Sequence, residues 1–287
     1  SAPASLCQGV PLSLFEGLCE HLSQHYQVLP LEELERLRQA GRVPARAVAL
    51  TFDDGYADNY RLAFPVLKRY GLPATIFVTT DFLNRRAIPW ATKLQLILEH
   101  AEPPDAPPVL EGVPISLETF AARERSYVQL VDLLQHAESK RKHQQIDILA
   151  EELGVDVKLL AETELITWDQ LVEMDAEGFT AGGHTITHPF LTRIPAAQVE
   201  RELRESKAEL ESRLGHAVRT LAYPNGKEDD FSPEVVAATE AAGYELAVTA
   251  LFGANSRNES PYTLRRVSLD GPLNGVLARL ERYYYYT

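Results

Sequence analysis

Two stretches of this chain carry residue types that could do chemistry together. Thr51-Phe52-Asp53-Asp54-Gly55-Tyr56 places adjacent carboxylates at the end of the apolar run Ala47-Val48-Ala49-Leu50. Much further along, His184-Thr185-Ile186-Thr187-His188 places two imidazoles four residues apart, directly after Gly182-Gly183. One carboxylate and two histidines suffice as the protein ligands of a catalytic divalent metal. The second carboxylate is then free to act as a base on a water the metal activates. Zn²⁺ suits such a set best, with Co²⁺, Ni²⁺ and Fe²⁺ as the other choices.

Position strengthens both signals. An Asp-Asp pair alone is more often a turn or capping feature, but two carboxylates at a buried strand end are costly without a cation or hydrogen bonds. Residues four apart on an extended strand are roughly 13 Å from each other, too far to share an ion. Pro189 disfavours a helical conformation at His188, so a curled loop is needed to bring the two rings together. No Glu follows His184, which excludes the zinc-protease helix motif. A third segment, Tyr223-Pro224-Asn225-Gly226, reads on its own as a turn. Beside a metal its backbone N–H groups could receive a developing oxyanion.

The elements that must position these groups alternate. Helical periodicity over 12–25 and 31–40 precedes a strand at 47–52, a helix at 57–70 with Leu62, Ala63, Val66 and Leu67 on its apolar face, and a strand at 74–78. Strand, helix, strand in about thirty residues is a βαβ unit of a parallel sheet. The pattern resumes with a helix at 168–174 and a strand at 179–181. Further helices follow at 196–214 and 233–242, and strands at 220–223, 246–249 and 264–269. This favours an α/β barrel or doubly wound sheet. Residues from about 85 to 161 break the alternation and read as a mostly helical insertion into a single domain spanning 1–287, a lid, a dimer surface or plain elaboration. The Tyr283–Tyr286 run reads as a tail.

Bulk properties narrow the partners. The 287 residues, 45% hydrophobic and 24% charged, are ordinary for a globular chain. A net charge of −13 argues against nucleic acid. Cys7 and Cys19 form no disulfide framework and read as ordinary thiols. No apolar run is long enough to cross a bilayer, and no signal peptide is visible. Ser1 is an unusual start for a full gene product, so a preceding segment is expected to have been removed. The expectation is a soluble protein of the bacterial cytoplasm or cell envelope; the oligomeric state is left open.

At the three motifs the chain resembles the polysaccharide deacetylases with the NodB homology domain, carbohydrate esterase family 4. Residues 51–56 match the family's T-F-D-D-G-Y motif, 184–188 its H-[ST]-x-x-H motif, and 223–226 a permissive third motif. The resemblance runs from about residue 28 to 269. It implies a distorted (β/α) barrel of about seven parallel strands, with Asp53 as general base and Asp54, His184 and His188 as ligands of one divalent metal, Zn above all. Tyr223, Pro224 and Asn225 would form the substrate and oxyanion side, the Asn225 N–H holding the oxyanion. The implied reaction removes N-acetyl groups from amino sugars of a glycan and releases acetate.

Two departures stand out. Where many members carry an arginine that tethers the base, this chain has Ala222. Arg266, in the late run Leu264-Arg265-Arg266-Val267, resembles an arginine that fills that role in a subgroup, and is expected to reach Asp53. The usual late histidine acid is also missing, since no histidine follows His216; Asp270 or a metal-bound water would have to donate. The competing readings are a glycan-binding module that kept the cleft and lost turnover, an O-acetyl esterase on a polysaccharide, and a non-haem iron oxygenase.

Overall fold

The computed structural model describes residues 6, 9–135, 137–162, 164–269 and 271–284. The chain divides into two compact units, Val10–Arg86 with Leu165–Thr287, and Ser1–Gly9 with Ala87–Glu164.

In the first unit, with strands numbered in chain order through the described residues, β1 (Gln27–Val28), β2 (Ala47–Val48), β3 (Thr51–Phe52) and β4 (Thr75–Val78) precede the break. The inserted unit holds β5 (Val109–Leu110) and β6 (Val113–Pro114). After it come β7 (Thr180–Gly183), β8 (Thr220–Ala222), β9 (Leu246–Phe252) and β10 (Leu264–Arg266). Six of these form one parallel sheet, a half-barrel in the order β10-β9-β8-β7-β4-β3. The run 47–52 is one apolar segment that divides. Its first half pairs with β1, Gln27↔Ala47, and its second half pairs with β4, Thr51↔Thr75. The about seven expected strands are thus the six of the main sheet plus β1, joined through that shared run.

Side-chain alternation separates the two faces of the sheet. Ile76, Val78, Leu221 and Ala247 join the core formed with helices Leu12–His25, Phe64–Tyr70 and Ala196–Leu214, in which Leu18, Leu67 and Leu203 are also buried. Phe77, Ala222, Val248 and Leu264 pack into a separate cluster on the opposite face. All four residues of β4 are buried, which is why its sequence is apolar without alternation.

Strand β7 extends two residues beyond the expected 179–181. Pairing with β4, Phe77↔Gly182 and Val78↔Gly183, overrides the poor strand preference of glycine. The glycines are there for space: a Cβ on Gly182 would meet the Phe77 ring and, at 2.6 Å, the Thr220 hydroxyl. Gly182→Ala is therefore expected to lower stability by about 1–3 kcal/mol through overpacking, read from the urea midpoint; an unchanged midpoint would show that Phe77 yields.

The expected helix at 57–70 starts where expected but widens into a π-helical turn over Asn59–Ala63, continuing as Phe64–Tyr70 and closing on Gly71 at φ 64°. The wider turn shifts the helical phase. Ala63, Val66 and Leu67 stay buried, but Leu62, expected on the apolar face, is 47% exposed. A further helix, Leu273–Tyr284, carries a strongly amphipathic sequence that the expected pattern of elements did not include, and it takes in the first two residues of the Tyr283–Tyr286 run read as a tail. No helix among the described residues is long and apolar enough to cross a membrane.

The inserted unit contains helices Trp90–His100, Phe120–Leu134, Ser139–Glu152 and Val157–Ala161 and the antiparallel pair β5–β6. Leu94, Ile97, Leu130, Leu134, Ile146 and Leu149 form its own core. Cys19 is a free, buried thiol whose pKa burial pushes up to about 12, so it is inert at neutral pH. Cys7 lies outside the described residues.

Candidate active site

The carboxyl ends of the parallel strands gather the candidate residues, as parallel α/β architectures do. Asp53 and Asp54 follow β3, His184 follows β7, Tyr223-Pro224-Asn225-Gly226 follows β8, and Arg266 ends β10.

Asp54, His184 and His188 offer ligand atoms that all lie within 4.8 Å of one another. Both imidazole Nε2 atoms stand 3.4 Å from Asp54 Oδ1. The two rings meet edge to face, centroids 4.8 Å apart. The loop curls through strained backbone to achieve this. Thr185 has φ 68° and His188 φ 59°, and Asp54 and Asn225 also sit at positive φ, 69° and 61°. Such conformations cost of order 1–3 kcal/mol each and persist where surrounding bonds enforce them.

Those bonds are visible. Thr80 N–H donates to Thr185 O and Asp81 N–H to Ile186 O, while the Thr79 hydroxyl donates to His184 O. His188 N–H donates to the Thr185 hydroxyl, 3.1 Å. Glu202, 3% exposed on helix Ala196–Leu214, accepts from Ile186 N–H at 2.8 Å, Thr187 N–H at 2.9 Å and the Thr187 hydroxyl at 2.7 Å. Sequence reading missed Glu202. Its signal was available: a carboxylate within the buried stripe Val199, Leu203, Ser206, Leu210 of an amphipathic helix.

His184 Nδ1–H donates to the Ala222 carbonyl at 2.7 Å, which fixes the ring and turns Nε2 toward Asp54. Ala222 thus serves through its backbone at the place where an arginine side chain was expected. Burial works against a charge on His184, but the contact with Asp54 and the nearby Asp53 carboxylate outweigh it and raise its pKa. For His188 burial prevails and lowers the pKa to about 4, leaving a neutral imidazole at pH 7. Burial also opposes ionisation of Asp54, yet the His184 contact and the His188, His184 and Arg266 charges hold its carboxyl below the usual range. Asp54 Oδ1 is buried and accepts no hydrogen bond among the described residues. Three lone-pair donors around one point, one of them orphaned, fit a divalent cation that takes the place of a proton on His184.

Asp53 points into a different set of bonds. The Arg266 guanidinium forks onto it, Nη1 to Oδ1 at 2.8 Å and Nη2 to Oδ2 at 2.7 Å. The same guanidinium donates to Thr249 O at 2.7 Å and to the Thr51 hydroxyl at 3.3 Å. Its position depends on an irregular register: Leu264 pairs with Val248 and Arg266 with Phe252, so β9 bulges between them. Arg265 projects elsewhere, its Nε 3.7 Å from Glu259. Arg266 is expected to act by orientation. Arg266→Ala should lower kcat by about 10²-fold, the scale of a misplaced catalytic group. Arg266→Lys should recover only part, because it keeps the charge and loses the fork. Wild-type kcat in the alanine variant would remove the role.

Tyr223 N–H is committed to Val248 O, and Gly226 N–H to Pro224 O. Nothing among the described residues accepts from the Asn225 N–H, which leaves it available to a ligand. Asp270 lies outside the described residues.

Residues 40–247 match the family model described as polysaccharide deacetylase. Over 93% of its length the chain is 25% identical to YxkH of Bacillus subtilis (strain 168), whose name assigns it to the polysaccharide deacetylases, and covers 67% of that protein. A stretch of 71 residues is 37% identical to a poly-beta-1,6-N-acetyl-D-glucosamine N-deacetylase of Staphylococcus epidermidis, a quarter of either protein, 24% of this chain and 25% of the relative. Among solved structures, the Streptococcus pyogenes deacetylase PplD superposes with TM-score 0.63 at 20% identity, covering 94% of this chain and 86% of that one. IcaB from Ammonifex degensii gives TM-score 0.60 at 19% identity, covering 96% and 94%. At these identities the likeness is one of fold.

Proposed function

Since the chain belongs to the polysaccharide deacetylase family, we propose that it is a metal-dependent hydrolase that removes N-acetyl groups from amino sugars of a glycan and releases acetate. The observation that carries this reading is the convergence of Asp54, His184 and His188 at strand ends where Arg266 holds Asp53 by a two-bond fork.

Asp54, His184 and His188 would hold the cation, most suitably Zn²⁺. When bound it supplies Lewis-acid polarisation of the acetyl carbonyl and lowers the pKa of a water. Asp53 accepts the proton of the attacking water. Its two oxygens are fixed by Arg266, so it keeps its orientation and does not compete with Asp54 for the cation. The Asn225 N–H, which has no acceptor among the described residues, donates to the developing oxyanion. The leaving amine must still gain a proton, and the chain has no late histidine for this.

Acetate release from N-acetylglucosamine oligomers, peptidoglycan and O-acetylated xylan, with and without a chelator, tests the reading. Chelator-sensitive release from an N-acetylated substrate supports it. Release from xylan alone would favour the O-acetyl esterase, and binding without release the glycan-binding module. An iron oxygenase is disfavoured by the family membership and the α/β sheet.

A further inference from the structure

One cavity, of about 440 Å³, opens beside Asp53 and Arg266. Neither Asp54, His184 and His188 nor Tyr223, Pro224 and Asn225 line it. It sits where the sheet fails to close. β3 and β10 are the two edges of the six-stranded order, and Phe52 of one and Arg266 of the other both face it.

Its walls are mainly apolar, and the apolar groups are open to solvent. Val10 is 44% exposed, Leu12 40%, Leu62 47% and Phe252 47%, and all four line this one cavity. Phe15 and Phe52 stack edge to face behind them, centroids 5.9 Å apart. Exposed large apolar side chains scattered singly need no explanation, whereas four gathered at the mouth of one cavity next to reactive groups mark a binding surface. The π-helical turn that rotates Leu62 out of the core is what brings it to this wall. Such turns frequently occur at functional sites.

We infer that this cavity binds an apolar substituent, an alkyl or aryl group, carried by the sugar whose acetyl group is removed. This rests on the deacetylase reading for the acetyl-sugar half of the ligand. The acyl carbon has to reach the metal and the Asn225 N–H, and none of those residues lines the cavity. The group that enters it is therefore attached elsewhere on the sugar, and the anomeric aglycone is the substituent the test uses. A hydroxylated sugar unit presents only its C–H face and acetyl methyls to these walls, whereas the apolar group of an amphipathic glycoside buries more surface against Val10, Leu12 and Leu62.

The experiment uses the intact chain and soluble glycosides below their micelle-forming concentrations. Acetate release is compared for methyl and octyl N-acetyl-β-glucosaminide, and binding of methyl and octyl β-glucosaminide, which lack the acetyl group, is measured by calorimetry. Burial of a few methylenes predicts kcat/KM and affinity on the order of 30-fold higher for the octyl members. Leu62→Asp, at an exposed position that leaves the core intact, should bring both octyl-to-methyl ratios close to one; Phe252→Asp serves as the second variant. Octyl binding that depends on Leu62 without acetate release from either glycoside would overturn the deacetylase reading and keep the cavity assignment. Equal binding of methyl and octyl glucosaminides by the unaltered protein would overturn the cavity assignment alone. So would a dimer in solution that Leu62→Asp dissociates, which would give the patch to a second copy of the chain.

Discussion

Asp53→Asn is expected to reduce acetate release by 10²–10⁴-fold, the range a positioned general base contributes, while the protein still takes up one equivalent of divalent metal. The amide keeps the size of the carboxylate and can still meet Arg266 through its oxygen. It cannot accept the proton of the attacking water. Metal uptake should persist because the three donor atoms belong to Asp54, His184 and His188, and none to Asp53. The two residues are adjacent in sequence, but Asp54 adopts φ 69° and turns its carboxylate to the imidazoles. Asp53 remains with the guanidinium. Metal content by elemental analysis and acetate release on the same sample check both halves. Loss of metal in this variant would exchange the roles of the two carboxylates.

His184→Ala is expected to abolish stoichiometric metal binding, and with it turnover. His184 is 2% exposed and is anchored by its Nδ1–H to the Ala222 carbonyl, so its Nε2 is the most rigidly placed donor of the three. Removing it leaves two donors and an Ala222 carbonyl without its partner, and among the described residues no further histidine joins the group. In the unaltered protein, metal affinity should also fall as pH falls. The cation has to compete with a proton for His184, and because the pKa of His184 is raised that competition strengthens as pH falls. Full metal retention by the alanine variant, measured after dialysis against metal-free buffer, would refute the ligand assignment.

The inserted unit explains why the family pattern is interrupted along the chain. Residues Ala87–Glu164, between β4 and β7, fold around their own buried leucines and isoleucines. Strands β4 and β7 nonetheless pair directly in register, Thr75↔Thr180 through Val78↔Gly183. A parallel pair needs only a crossover connection between its strands, and nothing in the pairing limits how long that connection is. Asp54 and His184 are thereby placed on the ends of strands separated by one intervening strand, although they stand 130 positions apart in the sequence.

The amino-acid sequence by itself determined the reactive groups and the order of the elements. Apolar runs bounded by Gly and Pro marked the parallel strands, because strands buried on both faces must be apolar throughout. The candidate ligand types were legible in Asp53-Asp54 and His184-x-x-x-His188, since few residue types can hold a divalent cation. The need for a curled loop followed from strand geometry and Pro189. Only the tertiary structure decided which contacts make those groups work. Glu202 holds the loop through three hydrogen bonds from another helix, and Ala222 orients His184 through a carbonyl that any residue type would present. That Arg266, and not Arg265, faces Asp53 depends on a bulge in the neighbouring strand, which shifts register without leaving a mark in local periodicity. Leu62 left the core for the same kind of reason: one π-helical turn changes which face a residue shows, and hydrophobicity counted at a period of 3.6 assumes that no such turn is present.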